Sequence, residues 1–166
     1  DTQASSNYSY GAHLEGADIA ITRSLFNGNG SGSLQNPTGK GLEIESTGSV
    51  AIVDTEANGN QLFGANIQAG DSVAIVNSFF NGNQAYTYSC KGKTYLGYGL
   101  QIVTAADISV SNVTANGNYL FGAHLEGTNV NVSVGSFSNN GTGNPADHVG
   151  KGLEIVSTGS DSFISL

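Results

Sequence analysis

Apolar and polar residues alternate along most of the chain with a period of two, in short bursts that recur. In residues 41–63, GLEIESTGSVAIVDTEANGNQLF, Leu42 and Ile44 alternate with Glu43 and Glu45, a Ser-Thr-Gly turn follows, Val50 and Ile52 alternate again, and an Asn-Gly-Asn turn comes next. Such alternation marks a strand with one face buried, and no segment carries the 3.6-residue period of an amphipathic helix. Five other stretches copy this one. Aligned on their opening glycine, the six begin at Gly11, Gly41, Gly64, Gly99, Gly122 and Gly152, spaced 30, 23, 35, 23 and 30 residues apart. Repeats of this length build solenoids. The expectation is an all-β fold, a single module over residues 1–166: a parallel β-helix of about six coils, each strand pairing with its equivalents above and below at ~4.8 Å. Two strands per coil are clear, and a third short strand is predicted after the Asn turn, at residues 61–63.

Coils of two kinds alternate. Those at Gly11, Gly64 and Gly122 open Gly-Ala and carry insertions (residues 30–40, 84–98 and 141–151), whereas those at Gly41, Gly99 and Gly152 open Gly-Leu. The first inward position reads Ala12, Leu42, Ala65, Leu100, Ala123, Leu153, and the position before the Asn turn reads Phe26, Ala57, Phe80, Ala115 and then Ser138, with Phe137 one place early. Small at one site goes with large at the other, as constant core filling requires. The turns start at Asn27, Asn58, Asn81 and Asn116, with Asn139 in the fifth coil. Asn and Gly tolerate left-handed backbone, and stacked amides are expected to hydrogen-bond along the axis as a ladder.

The two ends fit each other. Asp1-Thr2-Gln3-Ala4 and on to Gly11 aligns without gaps to residues 54–64, with Asp1, Thr2, Ala4, Asn7 and Gly11 identical and Tyr10 in place of Phe63. Residues 1–10 thus supply the Asn turn that the sixth coil, ending at Leu166, lacks; joined, they make a coil of 25 residues. Both ends are expected to be uncapped, with Asp1, Thr2, Ala4, Asn7 and Tyr10 meeting Phe163, Ile164 and Leu166 of another copy, either a separate subunit or a tandem module. Bare solenoid ends expose strand edges, which invites such stacking.

Composition narrows the function. Lys and Arg number 5 against 13 Asp and Glu, for a net charge of −8, which argues against a nucleic-acid partner or an anionic membrane surface. No apolar run approaches the ~20 residues of a membrane-crossing helix, so no membrane insertion is expected. The lone Cys90 excludes an internal disulfide framework. Sequons at Asn7, Asn29, Asn112, Asn131 and Asn140 are candidate glycosylation sites and suit an extracellular or cell-surface chain.

Candidate chemistry is sparse. The outward column His13, Glu43, Asn66, Gln101, His124, Glu154 sets His beside Glu one rung apart, and Glu15 beside Glu45. Each pair offers too few ligands for a closed metal site, and an exposed sheet is a poor place for a catalytic carboxylate pair. No catalytic residue, cofactor or metal is therefore assigned. The insertion around Tyr86, Tyr88, Cys90, Lys91, Lys93, Tyr95 and Tyr98 is the least repetitive segment and the candidate contact loop, suited to a glycan face or a neighbouring fibre. The lysines beside Cys90 favour its thiolate, which opens a route to intermolecular cross-linking.

The copies GLEIESTGSVAIVDTEANGN, GLQIVTAADISVSNVTANGN and GANIQAGDSVAIVNSFFNGN resemble the right-handed parallel β-helix repeats of large secreted bacterial surface proteins. That resemblance implies a pectate-lyase-like β-helix, an extracellular place and a role in surface structure or adhesion; right-handedness also follows from the strand-crossover rule. Related β-helices include polysaccharide lyases and epimerases with clustered Asp, Arg, Lys or His, but Arg23 is the only arginine here. The expected function is a non-enzymatic structural protein that self-assembles head to tail into an extracellular filament, with a carbohydrate-binding adhesin segment as the alternative and a lyase or epimerase third.

Overall fold

A computed structural model describes residues 1–30, 39–84, 86–88, 93–95, 97–141 and 150–166. Every regular element among them is a strand. One six-stranded sheet contains β1 (Ala12–Gly16), β3 (Leu42–Ser46), β5 (Ala65–Ala69), β9 (Leu100–Thr104), β11 (Phe121–Gly127) and β13 (Lys151–Ser157), in that order. The other holds β2 (Ile19–Thr22), β4 (Val50–Val53), β6 (Val73–Phe79), β10 (Ile108–Thr114), β12 (Val130–Ser136) and β14 (Phe163–Ser165). All pairs within both sheets are parallel. The chain steps one rung further each time it returns to a sheet, an arrangement compatible with a parallel β-solenoid. A small antiparallel hairpin, β7 (Tyr86–Tyr88) with β8 (Lys93–Tyr95), lies in the longest insertion.

Equal registers carry the repeat into the core. Leu42 pairs with Ala65 and Ala65 with Leu100, while Val50, Val73 and Ile108 align in the second sheet. These residues, with Ile44, Ile67, Ile102, Ile52, Ile75 and Val110, form one buried core; burying each large side chain contributes about 1.5–3 kcal/mol. The size alternation is realised: Phe26, Ala57, Phe80 and Ala115 are all buried in it.

Phe137 belongs to the same series. Ala115 N–H bonds to Ser136 O and Gly117 N–H to Ser138 O, which sets Phe137 opposite Ala115 and makes Ser138-Asn139-Asn140 the fifth turn. The expected Ser138 at this position is thereby corrected. The cause is Ser138, which stands where the other turns have their first Asn; the turn between β11 and β12 has two residues, as in the first coil, where Asn27 still marks the position. Phe137 packs against the core from a partly buried position, so the fifth coil keeps the alternation.

The third side of the repeat is built differently from the strand expected at residues 61–63, where residues 61 and 62 form bends and none is in a strand. Single parallel bridges join Gln3, Leu25, Glu56 and Phe79, just before the Asn turns. Beyond the turns the neighbouring chain is interrupted by insertions. Gln61 N–H bonds to Asn29 O before one insertion and Leu62 N–H to Gly39 O after it; Tyr119 and Leu120 do the same with Asn83 and Gly97 across the next. The residues flanking each insertion thus meet the next coil through consecutive backbone hydrogen bonds, but the break in sequence between them prevents a continuous strand.

Two columns of left-handed backbone shape the corners. Ser6, Gly28, Gly59, Gly82, Gly117 and Asn139 have φ of 56–65°, each at the centre of a turn, and Arg23 and Asp54, just after β2 and β4, and Asn77, Asn112 and Val134, inside β6, β10 and β12, have φ of 47–52°. The opening glycines stack for another reason. A Cβ on Gly64 would lie closer than 3.0 Å to the carbonyl oxygens of Gly99 and Ala57, and the same holds at Gly41 and Gly99 against the next glycine in the column.

Candidate functional site

Three systems stand out, two running along the axis and one at the ends. The first is an amide ladder. Asn7, Asn29, Asn60, Asn83 and Asn118 each donate Nδ2–H to the Oδ1 of the next asparagine, ending on Asn140, at 3.0–3.1 Å. Each of those Oδ1 atoms also accepts the backbone N–H of the preceding asparagine at 2.8–3.0 Å. Asn29, Asn60, Asn83 and Asn118 are buried, and burial without such bonds would cost several kcal/mol. Of the five sequons, Asn29 is committed to this buried ladder and Asn7 and Asn140 to its ends, while Asn112 and Asn131 are exposed. The exposed Asn112 donates to Asn77 Oδ1 at 2.9 Å.

The second system is the outward face of the first sheet. The residue before each opening glycine forms a column that the sequence alignment, begun at the glycine, left unread: Tyr10, Lys40, Phe63, Tyr98, Phe121, Lys151. The Lys40 ammonium lies 5.9 Å from the Tyr10 ring centre and 5.5 Å from that of Phe63, within cation–π range of both. Phe63, Tyr98 and Phe121 follow as a ridge with centroids 5.2 and 4.9 Å apart, and Lys151 sits 5.7 Å from the Phe121 ring. Tyr98, expected in the contact loop, is thus part of the wall; burial, and secondarily the Glu154 charge, push its hydroxyl pKa up. Tyr86, Tyr88, Lys93 and Tyr95 belong to the hairpin backbone, and Cys90 and Lys91 lie outside the described residues.

Beside that column the His/Glu pairs take two forms. His124 Nδ1 meets Glu154 Oε2 at 2.8 Å across the strands, the pairing expected from sequence. His13 instead meets Glu15 on its own strand at 3.0 Å, because Glu43 is engaged by Lys40 and by Asn66 Nδ2 at 2.8 Å. Glu43 is buried, and its Oε2, without a directed hydrogen bond, is balanced by the Lys40 charge. Glu154 is paired with Lys151, here through a hydrogen bond from the ammonium to Oε1. Hydrogen bonds from Lys151 and then His124 hold its carboxyl below the usual range. Glu15 and Glu45 are register partners and, with Gln68, line a shallow depression of about 410 Å³. Among the described residues no group of three or more His, Cys, Asp or Glu is placed to hold a metal ion.

The third system is the pair of end faces. On one, Asp1, Thr2, Ala12, Leu14, Ile21 and Phe26 line an apolar groove of about 300 Å³. On the other, Phe163, Ile164 and Leu166 are exposed. Ala4 and Asn7 are already docked on the first coil, Ala4 N–H on Leu25 O at 2.9 Å and Asn7 on Asn29. Residues 1–10 therefore lie against the next rung as residues 54–63 do against theirs, with Gln3–Leu25 matching Glu56–Phe79. Comparison with protein families, with curated proteins and with solved structures finds no match to this chain.

Proposed function

We propose that the chain is a segment of a non-enzymatic structural protein, a right-handed parallel β-helix of about six coils that stacks end to end into an extracellular filament or surface fibre. The observation that supports this reading most is the contrast between its flanks and its ends. The middle rungs bury their inward-facing aliphatic residues, while Phe163, Ile164 and Leu166 at one end are 61%, 52% and 71% exposed and the opposite end carries a groove. Open strand edges with apolar side chains recruit more strands of the same kind. Electron microscopy of native material tests it: six rungs per chain give an axial repeat of ~29 Å, and monodisperse short particles would sink the proposal.

A second reading, a glycan-binding adhesin segment, draws support from the Phe63–Tyr98–Phe121 ridge beside Asn66 and Gln101, since aromatic faces with amides suit sugar rings. A glycan array without signal would remove it.

A further inference from the structure

Resting on the end-to-end reading, we propose a specific junction between two copies of this chain. Strand β13 of one copy receives β1 of the second in parallel register. Leu153 then faces Ala12 of the second copy, Glu154 faces His13, and Lys151 is held between the ring of Phe121 and the Tyr10 ring of the second copy.

The template lies inside the chain. Residues 151–159, KGLEIVSTG, repeat residues 40–48, KGLEIESTG, with a single difference. Strand β3 has neighbours on both sides: β1 pairs Ala12 with Leu42 and His13 with Glu43, and β5 pairs Leu42 with Ala65 and Glu43 with Asn66. Strand β13 has the first neighbour, since β11 pairs Ala123 with Leu153 and His124 with Glu154. Among the described residues no strand pairs with its other edge. What lies on the far side of β3 opens Phe63-Gly64-Ala65, and the free edge strand β1 opens Tyr10-Gly11-Ala12, the same aromatic-Gly-Ala.

Side-chain exposure registers the missing neighbour. The Lys40–Glu43 pair, covered on both sides, is 19% and 7% exposed; Lys151–Glu154 is 44% and 24% exposed. Lys40 has two rings and Lys151 one. Charge agrees along the first sheet: although each chain carries −8, this register sets Glu154 against His13 and Val156 against Glu15, and the one like-charged meeting is Asp161 with Asp18 of the second copy at the exposed corner before the second sheet. Polarity agrees as well. Every ladder amide donates in one direction along the axis, and Asn140 Nδ2, at the end, turns to Ala115 O at 3.0 Å; Asn7 of the second copy falls where the next asparagine belongs. In the second sheet, Ile164 pairs with Val132, and continuing the column sets it over Ile21 of the second copy.

The test is register-specific cross-linking of the full chain. With Cys90→Ser removing the native thiol, His13→Cys and Glu154→Cys together, oxidised by diamide, are expected to give dimers, trimers and higher species. The out-of-register pair Glu15→Cys with Glu154→Cys should give at least about tenfold fewer. Lys151→Gln should weaken association roughly two- to thirty-fold through loss of the cation–ring contact. If the unsubstituted chain forms filaments but both cysteine pairs link equally, or Glu154→Cys alone links tail to tail, the junction is wrong and stacking stands. A chain that stays monomeric by sedimentation and forms no linked species overturns both.

Discussion

Strands β3 and β13 carry nearly the same sequence and live in different environments. Leu42 and Ile44 are 0% exposed, whereas Leu153 and Ile155 are only partly buried against the core. Burial here is set by the neighbouring coil more than by the residue, as in any solenoid whose units cannot close a core alone. The middle of the molecule is therefore where substitutions should be felt most, and the end rung where they should be felt least.

The largest effect is expected from Gly64→Ala. Its Cβ would collide with the backbone carbonyls of Gly99 and Ala57, costing about 3 kcal/mol or more, to be read from denaturant unfolding. Next comes the amide ladder. Asn60→Ala strands the Asn29 N–H and Nδ2–H in the buried wall and leaves Asn83 Oδ1 only the backbone N–H of residue 60, a loss of about 2–4 kcal/mol. The same change at Asn140 removes the acceptor of Asn118 N–H and Nδ2–H, but at a part-exposed position that water can enter once the side chain is gone, and should cost less, about 1 kcal/mol. Equal losses at the two sites would show that position along the stack does not matter.

A gain is expected at Val134. It is a β-branched residue at φ 50°, 63% exposed, in the column occupied by Asn77 and Asn112. Val134→Asn should stabilise by about 1 kcal/mol by relieving the left-handed strain, and it offers an amide to Asn112; a lower melting temperature would contradict this. The smallest effect belongs to pH. Asp18, which accepts hydrogen bonds from the backbone and hydroxyl of Ser49, and Glu154, held by Lys151 and His124, both have carboxyl pKa values lowered on folding. The unfolded state thus binds protons first as pH falls. Their stabilisation is present above the ordinary carboxylate range near pH 4 and fades as pH drops below it. A melting temperature that rises on acidification would reverse the sign. Adding Zn²⁺ or a chelator should leave melting unchanged.

The period-two alternation, the opening glycines and the exchange of Ala12/Phe26 for Leu42/Ala57 were legible because each repeats in every coil and each has one physical cause. The amide ladder was legible for the same reason. Phe137 is misplaced because Ser138 replaces the first Asn of the turn, so the first Asn met there, Asn139, sits one place late; the hydrogen bonds of Ala115 and Gly117 reveal the register. The strand at residues 61–63 failed because its neighbours are interrupted by insertions, a fact about adjacent coils that no single repeat contains. Lys40 was overlooked as Glu43's partner because the column it heads lies one residue before the alignment began. Reading the residue preceding each glycine would have found the alternation of rings and lysines.

The comparison between β3 and β13 is tested most directly by hydrogen exchange of their amides as a function of protein concentration. Stacking requires the free-edge amides of β13 to gain protection as concentration rises, approaching the level of β3, which stays constant. If β13 exchanges at the same fast rate at every concentration, the end rung receives no second copy and the filament does not form.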